Sequence, residues 1–413
     1  MTAAESTAAA SPVLARGTVL GYPRPDGRVG IRDVVAVVYL VECARLVADA
    51  VAAGRDDVHV IGFGGCYPSA YAQRMLEMLC THPNVGAVAL VSLGCEGFDR
   101  EQLADVVAAS GRPVTTLVIQ QAGGTRATVA AGRAWVDDVR ARSAAARTVP
   151  VGLADLVVGT ICGGSDGTSG ITANPVVGRV FDRLVEAGGT AVFEETGELI
   201  GCEHHMAERA VTPELGAEIV ARVEKAAAYY TAMGHGSFAP GNAEGGLTTL
   251  EEKSLGAYTK SGAGPIHGLV TPGQLVPSPG LYLLDVVPEG TPRWGFPNIN
   301  DNAEIAELIA CGSHVVLFTT GRGSVVGSAI SPVVKICANP ETYRRMSEDM
   351  DVDAGRILEG RGGIDDVAGD VLDLLHEVAG GRPTASEALG HQEFVLTYKS
   401  SEPTGPSCLP TVR

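Results

Sequence analysis

The sequence predicts an α/β protein built around a parallel β-sheet. Short apolar runs rich in valine and isoleucine alternate with helical stretches from Leu20 to about Gly236. This alternation is typical of parallel sheets covered by helices on both faces. Most runs are apolar without interruption, as expected for strands buried on both sides. We therefore predict a Rossmann-like α/β region followed by a second α/β domain.

The domain boundaries are placed where this alternation changes. Residues 17–236 are predicted to form either one large sheet or two doubly wound units that meet near residue 150. Past this region, glycine-rich loops separate strands such as GLYLLDVV and HVVLFTT, and 237–380 are predicted to form the second domain. Residues 1–16, rich in Ala, Ser and Thr, are a predicted disordered lead-in, and 381–413 a C-terminal tail.

The predicted strands of the first region follow one another in a regular order. They are DVVAVVYL, DVHVIGF, GAVALVSL and LVVGTI. The segments between them, such as SAYAQRMLEMLC and REQLADVVAAS, are predicted helices. A cysteine follows each strand within a few residues: Cys43, Cys66, Cys95 and Cys162. Because ligands bind outside the carboxyl ends of parallel strands, the four thiols are predicted to converge on one rim.

Four converging thiols would favour iron, zinc or an iron–sulfur cluster. A single cysteine is more often a core residue, and only the repeated offset favours a ligand role. The absence of a Cys-x-x-Cys pair makes a structural zinc knuckle a poor explanation. The remaining cysteines are assigned to the core or to no function: Cys80, Cys202, Cys311, Cys337 and Cys408.

Composition excludes several classes of protein. The net charge of −17 argues against nucleic acid or an anionic membrane as a partner. No apolar run approaches the length of about 18 residues that a membrane span needs. The N-terminus lacks an export signal, and nine cysteines without a disulfide framework fit a reduced compartment. We expect a cytoplasmic protein.

The segment ICGGSDGTSGITANP joins a strand to a helix and is the densest in glycine and polar residues. Backbone N–H groups in such a loop favour a carboxylate or phosphate. The alternative is a tight turn with a capping aspartate. Arg322, in the FTTGRGS loop after another strand, suits capture of a carboxylate. The predicted substrate-binding residues are Gly163, Gly164, Ser165, Asp166, Asn174 and Arg322.

The segment FEETGELIGCEHHMAERA carries candidates for proton transfer. A histidine beside a carboxylate is a usable base, so His204 is paired with Glu195 or Glu198 in this hypothesis. Lys253, at a predicted helix start, is the second candidate base if it is desolvated. The alternatives are a solvated helix face for the histidine and a surface cation for the lysine.

Several motifs together resemble the altronate and galactarate dehydratase family. They are GYPRPDGRVGIRD, LGCEGF, ICGGSDGTSGITANP, PGNAEGGLTTLEEKSLGA, FTTGRGS and MDVDAG, in that order. The similarity covers the chain from about Gly21 to Gly360. It implies an iron-dependent lyase that removes water, or sulfite in the sulfolactate sulfo-lyase branch, from a small anionic hydroxy acid.

The resemblance also implies cofactors and partners. The iron would be a mononuclear Fe²⁺ or a 4Fe-4S cluster, held by Cys66, Cys95 and Cys162, with Cys43 as a further candidate. The chain resembles the large subunit of a split enzyme, so we expect a separate small subunit and a homo-oligomer. In the predicted mechanism, Arg322 and the amides of the glycine loop hold the substrate carboxylate while the base removes the neighbouring proton.

Two departures from the family pattern motivate a rival hypothesis. Gly62 stands where dehydratases usually carry a histidine, and Ala243 where they carry a lysine. A catalytically inactive regulatory or scaffolding subunit would explain both. A dinucleotide-dependent oxidoreductase is a weaker alternative, since no Gly-x-Gly-x-x-Gly follows the first strand.

Overall fold

The computed structural model describes residues 13–143, 147–234, 236–289 and 300–397, and in these ranges fourteen strands form three sheets. The strands are β1 (Thr18–Pro23), β2 (Val29–Gly30), β3 (Val34–Tyr39), β4 (Val58–Gly62), β5 (Val85–Ser92), β6 (Val114–Val118), β7 (Val149–Gly152), β8 (Val157–Cys162), β9 (Thr190–Glu194), β10 (Gly268–Val270), β11 (Gly280–Leu284), β12 (Val315–Thr320), β13 (Val333–Cys337) and β14 (Val352–Asp353).

The same ranges contain fourteen α-helices. They are α1 (Glu42–Ala52), α2 (Ala70–Cys80), α3 (Arg100–Ala109), α4 (Ile119–Ala122), α5 (Thr125–Ser143), α6 (Ala173–Glu186), α7 (Glu203–Glu208), α8 (Pro213–Met233), α9 (Pro240–Glu244), α10 (Leu250–Tyr258), α11 (Asp301–Ala310), α12 (Pro340–Arg345), α13 (Ile364–Ala379) and α14 (Ala385–Leu389). The predicted α/β class is confirmed.

A four-stranded parallel sheet in the order β4-β3-β5-β6 forms the first α/β unit. Every residue of β3 is buried. Val37 on this strand packs into a core with α1 and α5, whereas the adjacent Val38 packs into a core with α2 and α3. Successive side chains of a strand point to opposite faces, so an unbroken apolar run covers both cores.

A seven-stranded parallel sheet in the order β10-β11-β9-β8-β12-β13-β14 forms the second unit. Its strands come from both sides of residue 236, because β9 pairs with β11 from Thr190↔Gly280 onwards. The predicted boundary between 236 and 237 therefore lies inside one sheet, and the two parallel sheets divide near residue 150. Strands with similar apolar sequences do not show which strands they will pair with, because pairing depends on packing between distant parts of the chain.

Contacts also order the described parts of the two predicted termini. Val13 is buried in the core, and Arg16 forms an ion pair of 2.8 Å with Asp373. Residues 1–12, the rest of the predicted lead-in, lie outside the described residues. In the C-terminal tail, Glu387 on α14 pairs with Arg32 at 2.8 Å. Residues 398–413 lie outside the described ranges.

Across the ranges that the structure describes, no helix combines the length and the apolar character that a membrane crossing requires. The cytoplasmic location stays a prediction.

Candidate active site

Three neighbouring strands of the seven-stranded sheet end at one edge, where β8 lies between β9 and β12. Cys162 is the last residue of β8, Glu195 directly follows β9, and the loop containing Arg322 follows β12. The carboxyl ends of parallel strands are the usual place for a ligand in an open α/β sheet. This edge is the candidate active site.

Cys162 contacts side chains from two of the surrounding loops. Its Sγ atom lies 3.0 Å from Ser165 Oγ and 3.3 Å from Glu198 Oε2. Its backbone N–H donates to Glu195 Oε1 at 2.5 Å. Burial, reinforced by the Glu198 carboxylate, raises the pKa of the thiol to about 11. Cys162 is therefore protonated at neutral pH unless a cation binds to it.

Two lysines neutralise the two carboxylates beside Cys162. Lys253 Nζ lies 2.5 Å from Glu198 Oε1 and donates to the Ser237 carbonyl at 2.6 Å. Lys260 pairs with Glu195, and its Nζ lies 3.8 Å from Glu198 Oε2. Burial alone would lower the pKa of Lys253, but Glu198, together with Cys162 and Glu304, outweighs burial and the pKa is raised. Lys253 thus carries a positive charge at neutral pH.

Local sequence explains how both lysines reach the site. Thr249 caps α10, its Oγ1 accepting from the Glu252 N–H at 3.2 Å. Lys253 lies on α10, and Lys260 lies seven residues later in the 3₁₀ turn Thr259–Ser261 that directly follows this helix. Gly170 lets α10 approach closely, because a Cβ there would lie 2.8 Å from Gly256 Cα.

Glu195 is held in an unusual backbone conformation. Its φ of 118° is positive, and within the described ranges no other residue except glycine has a positive φ. Such a conformation costs about 1–3 kcal/mol and persists only where surrounding contacts impose it. Here the Cys162 amide and Lys260 fix the carboxylate.

Asp301, the first residue of α11, adds a further, half-buried acid. Its carboxylate occupies the space that a side chain at Gly163 would fill. Burial raises the pKa of Asp301 to about 6, and the nearby Glu198 acts in the same direction. Near neutral pH a fraction of this group therefore remains protonated.

Two cavities meet at Cys162 and Glu198. The first, about 230 Å³, is lined by polar groups that include Ser165, Asp166, Ser169, Asn174 and Lys253. The second, about 380 Å³, is lined by acids and tyrosines that include Glu194, Glu195, Tyr229, Tyr230, Asp301 and Glu304. The Cys162–Glu198 contact is thus accessible from two sides.

The predicted glycine loop makes most of its polar contacts within the protein. The Gly163 N–H donates to the Thr319 carbonyl at 3.1 Å, so its hydrogen is already used. The Gly164 carbonyl accepts from the Arg322 N–H at 2.9 Å. Asp166 Oδ1 accepts from the Thr168 N–H at 2.9 Å, as in the tight turn with a capping aspartate given above as the alternative.

The other predicted substrate-binding residues differ in position. Ser165 faces Cys162, and the buried Asn174 lines the first cavity while its amide donates to the Gly256 carbonyl at 3.0 Å. Arg322 instead contacts Glu244 at 3.0 Å on α9 and lines neither cavity. The sequence shows that Arg322 follows the end of β12, but it does not show which way the Arg322 side chain points.

The three predicted catalytic residues do not come together. Glu195 and Lys253 both lie in the buried cluster. His204 is exposed on α7 and lines neither of the two cavities. Neighbouring residues on a helix point in different directions, and in this short helix it is Met206 that is buried.

The predicted thiol ligands are divided between the two sheets. Cys43, Cys66 and Cys95 are exposed at the ends of β3, β4 and β5, whereas Cys162 is buried at the end of β8. In the described ranges, one group of three donors could hold a metal ion: Cys162, Glu195 and Glu198, whose donor atoms lie within 4.8 Å of one another. The offset of a cysteine after a strand does not reveal which sheet the strand joins.

Lys260 and Asp301 were not predicted from the sequence. The seven-residue spacing of the two lysines was the available signal for Lys260. Nothing local marks Asp301, because its position depends on how α11 packs against the sheet. For Glu198, the sequence suggests only a role as the carboxylate partner of His204.

The two departures from the family pattern lie in different surroundings. Tyr39 is directly beside Gly62, with which it pairs across β3 and β4, and a side chain at Gly62 would clash with the Tyr39 ring. Ala243 is exposed on α9, next to the Glu244 that pairs with Arg322. Neither residue belongs to the Cys162 cluster.

The fold and the cluster define an α/β protein with a thiol, carboxylates and lysines grouped at the carboxyl edge of a parallel sheet. Two family models match in tandem: D-galactarate dehydratase/altronate hydrolase, second domain, over 21–144, and D-galactarate/altronate dehydratase, C-terminal, over 153–402. The chain belongs to the D-galactarate/altronate dehydratase family and is an enzyme of the lyase class.

Curated relatives cover nearly the whole chain. The (2R)-sulfolactate sulfo-lyase subunit beta of Chromohalobacter salexigens is 36% identical over 93% of this chain and 98% of its own length. Altronate dehydratase of Escherichia coli is 31% identical over 92% of this chain and 77% of its own length. Galactarate dehydratase (L-threo-forming) of the same species is 30% identical, over 90% and 74%.

Proposed function

We propose that this chain catalyses β-elimination from a small hydroxy acid, at the cluster of Cys162, Glu195, Glu198, Lys253 and Lys260. The leaving group is water or sulfite. The observation that carries the proposal is a buried cluster of paired charges opening into two cavities, in a chain related to both dehydratases and a sulfo-lyase.

The cavities support a small anionic substrate. Drug-sized ligands occupy roughly 300–1,000 Å³, and the cavity that Lys253 lines is smaller, at about 230 Å³. Lys253 lines this cavity, and its ammonium group is the cation available to an anionic substrate once Glu198 is protonated. The higher identity to the sulfo-lyase subunit favours sulfite as the leaving group.

We assign the base to Glu198 and the electrostatic role to the lysines. Glu198 takes the proton α to the substrate carboxylate, and the electron pair of that C–H bond forms the new double bond. The bond to the β leaving group breaks with its electron pair. Lys253 is already cationic and stabilises the negative charge that develops on the carboxylate. The resulting enol rearranges to a 2-keto acid.

Asp301 has the properties of the acid for a departing hydroxyl. Its raised pKa keeps a proton available near pH 6, so the group can leave as water rather than hydroxide. Sulfite departs as an anion and needs no proton. The contribution of Asp301 therefore distinguishes the two reactions.

The donor atoms of Cys162, Glu195 and Glu198 fit a single divalent cation. They lie within 4.8 Å of one another, and a thiolate with carboxylates suits ferrous iron. When bound there, the ion would act as a Lewis acid on a substrate oxygen. The two carboxylates already have lysine partners, so metal binding would compete with Lys253 and Lys260. Because Glu198 cannot be a metal ligand and the base at once, a bound ion would have to be held by Cys162 and Glu195 during proton transfer.

We further propose that a separate small subunit completes the enzyme and that copies of this chain associate. The relative named as a beta subunit supports the first part, since it matches over 98% of its length. Analysis of the purified assembly by light scattering, with and without the partner, tests both parts.

The proposed function is tested with three substrates and a matched pair of variants. The iron-supplied protein, with its partner subunit, is incubated with sulfolactate, altronate or galactarate, and 2-keto acid and sulfite are measured. We expect turnover of one of them and a loss of about 10²–10⁴-fold in Glu198→Gln, the usual range for a general base. Glu251→Gln, at an exposed position of the same helix as Lys253, is the control.

No keto acid from any of the three substrates would support the inactive-subunit hypothesis. Equal activity of Glu198→Gln and the control would exclude Glu198 as the base. Loss of activity in both variants would point to unfolding, which circular dichroism detects.

A further inference from the structure

The segment between α8 and α10 lines both cavities of the candidate active site. Its residues 236–240 line the second cavity, and Leu247 lines the first. We call residues 236–247, which include α9, the wall segment. Within it only Asn242 and Leu247 are buried. Segments with few buried apolar contacts open most readily, so polar contacts must hold the wall segment in place.

Arg322 makes two side-chain contacts that join the wall segment to the loop after Cys162. Its Nη1 atom donates to the Gly241 carbonyl at 2.5 Å, and its Nη2 atom lies 3.0 Å from Glu244 Oε2. Its own backbone N–H donates to the Gly164 carbonyl at 2.9 Å. One residue thus connects α9 to the glycine loop that follows β8.

Two glycines fit the wall segment around the Arg322 side chain. A Cβ at Gly241 would lie 2.7 Å from Arg322 Nη1, and one at Gly245 would lie 3.3 Å from Arg322 Cδ. Because the segment surrounds Arg322 closely and Arg322 lines neither cavity, the guanidinium group is used within the protein. An arginine that holds a substrate carboxylate needs N–H groups that face the ligand.

The wall segment in turn contacts Lys253. The Ser237 carbonyl accepts from Lys253 Nζ at 2.6 Å. Glu198 Oε1 lies 2.5 Å from the same Nζ atom, so the ammonium group contacts both the wall segment and the proposed base. We propose that Arg322 is a positioning residue: it fixes the wall segment, and the Ser237 carbonyl of that segment orients the Lys253 ammonium group.

This inference rests on the proposed function for the role of Lys253, but the contact between Arg322 and the wall segment does not depend on it. Lys253 is paired with Glu198 until that carboxylate takes the substrate proton, so the lysine stabilises the transition state more than the bound substrate. An Arg322 variant should therefore lower kcat more than it raises KM. An arginine in direct contact with the substrate carboxylate would mainly raise KM.

Hydrogen exchange of the full-length chain, followed by mass spectrometry, tests the structural part without any substrate. We expect the amides of the wall segment to exchange about tenfold faster in Arg322→Met than in the wild type. Arg322→Lys keeps only one of the two contacts and Glu244→Gln weakens one, so both should show a smaller increase. The control is Arg344→Met, which removes an exposed arginine paired with Glu359 at 2.6 Å and should leave the wall segment unchanged.

The link to Lys253 is tested by two further measurements. With the substrate that the wild type turns over, we expect about a tenfold lower kcat in Arg322→Met and partial recovery in Arg322→Lys. Acetylation of Lys253 by acetic anhydride, measured by mass spectrometry, needs no turnover. We expect it to be several-fold faster in Arg322→Met, because a displaced wall segment exposes the amine.

Equal exchange of the wall segment in Arg322→Met and the wild type overturns the inference, whether or not any substrate is turned over. A raised KM with an unchanged kcat overturns the positioning role and makes Arg322 a substrate-binding residue. If the wild type turns over none of the substrates, the proposed function fails, and unchanged acetylation of Lys253 in Arg322→Met would then overturn the positioning role by itself. Circular dichroism identifies a variant that does not fold, in which case Glu244→Gln provides the test.

Discussion

The carboxyl ends of the two parallel sheets place their polar side chains in opposite environments. At the end of β8, Cys162 is buried among carboxylates whose charges two lysines neutralise. At the ends of β3, β4 and β5, the thiols are exposed and their loops are held by backbone contacts. The first edge is preorganised by its own charges, whereas the second exposes its thiols to solvent. Four experiments test this contrast.

The largest effect on stability is expected from removing one charge of the buried cluster. Lys260→Met leaves Glu195 buried and unpaired, and breaking a buried ion pair in this way costs about 3–5 kcal/mol. Urea unfolding of the metal-free chain measures the loss. The double variant Glu195→Gln with Lys260→Met removes both charges and should recover part of it. A double variant that is as unstable as the single one would mean that the pair is not coupled.

The second largest effect is a gain in stability, expected when Asp301 at the same edge is replaced by asparagine. Burial raises the pKa of Asp301 from 3.8 to about 6, a difference worth on the order of 3 kcal/mol. The unfolded chain ionises this group first, so the folded state loses stability as pH rises from about 4 to about 6. Asp301→Asn removes this loss.

Thermal and urea unfolding at two pH values test this effect. Asp301→Asn should be more stable than the wild type near pH 7. Near pH 3.5 the two proteins should be similarly stable, because the Asp301 carboxyl of the folded wild type is then neutral, like the asparagine. Asp105→Asn, at an exposed position on α3, is the control. An equal difference at both pH values would contradict a raised pKa. A gain in stability with a loss of dehydration would show that the site trades stability for chemistry.

The fold class could be predicted from the sequence because uninterrupted apolar runs identify buried strands directly. β3, β4, β5 and β8 form where those runs occur. Lys253 and Glu195 were also identified, since each lies close to a strand end or a helix start. Arg322 and His204 show the limit of such reasoning, because the chain position of a residue does not determine which way its side chain points. Asp301 depends on packing between distant segments, which no local pattern encodes.

The third effect lies where the seven-stranded sheet meets β2 of the small three-stranded sheet. His314 Nδ1 accepts from the Val157 N–H at 3.0 Å, and Nε2 lies 3.0 Å from the Val29 carbonyl. Burial lowers the pKa of His314 to about 4, so the imidazole is neutral in the folded chain. Its contribution to stability is complete above pH 6.5 and is lost as pH falls towards 4.

We expect a decrease of about 2 kcal/mol from this group between pH 6.5 and 5. Urea unfolding across that range should show a weaker pH dependence in His314→Gln than in the wild type. The buried His82, whose ring lies 5.9 Å away, has its pKa lowered by burial and adds to the trend. An unchanged slope in the variant would show that other groups control acid stability.

The smallest effect on stability is expected at Cys66, which follows β4 in the four-stranded sheet. Cys66 is exposed, and substitutions at exposed positions usually change stability by no more than about 0.5 kcal/mol. Cys66→Ser should therefore unfold like the wild type when both are metal-free. A large loss in the metal-free variant would mean that Cys66 has a packing role, and the contrast between the two edges would not hold.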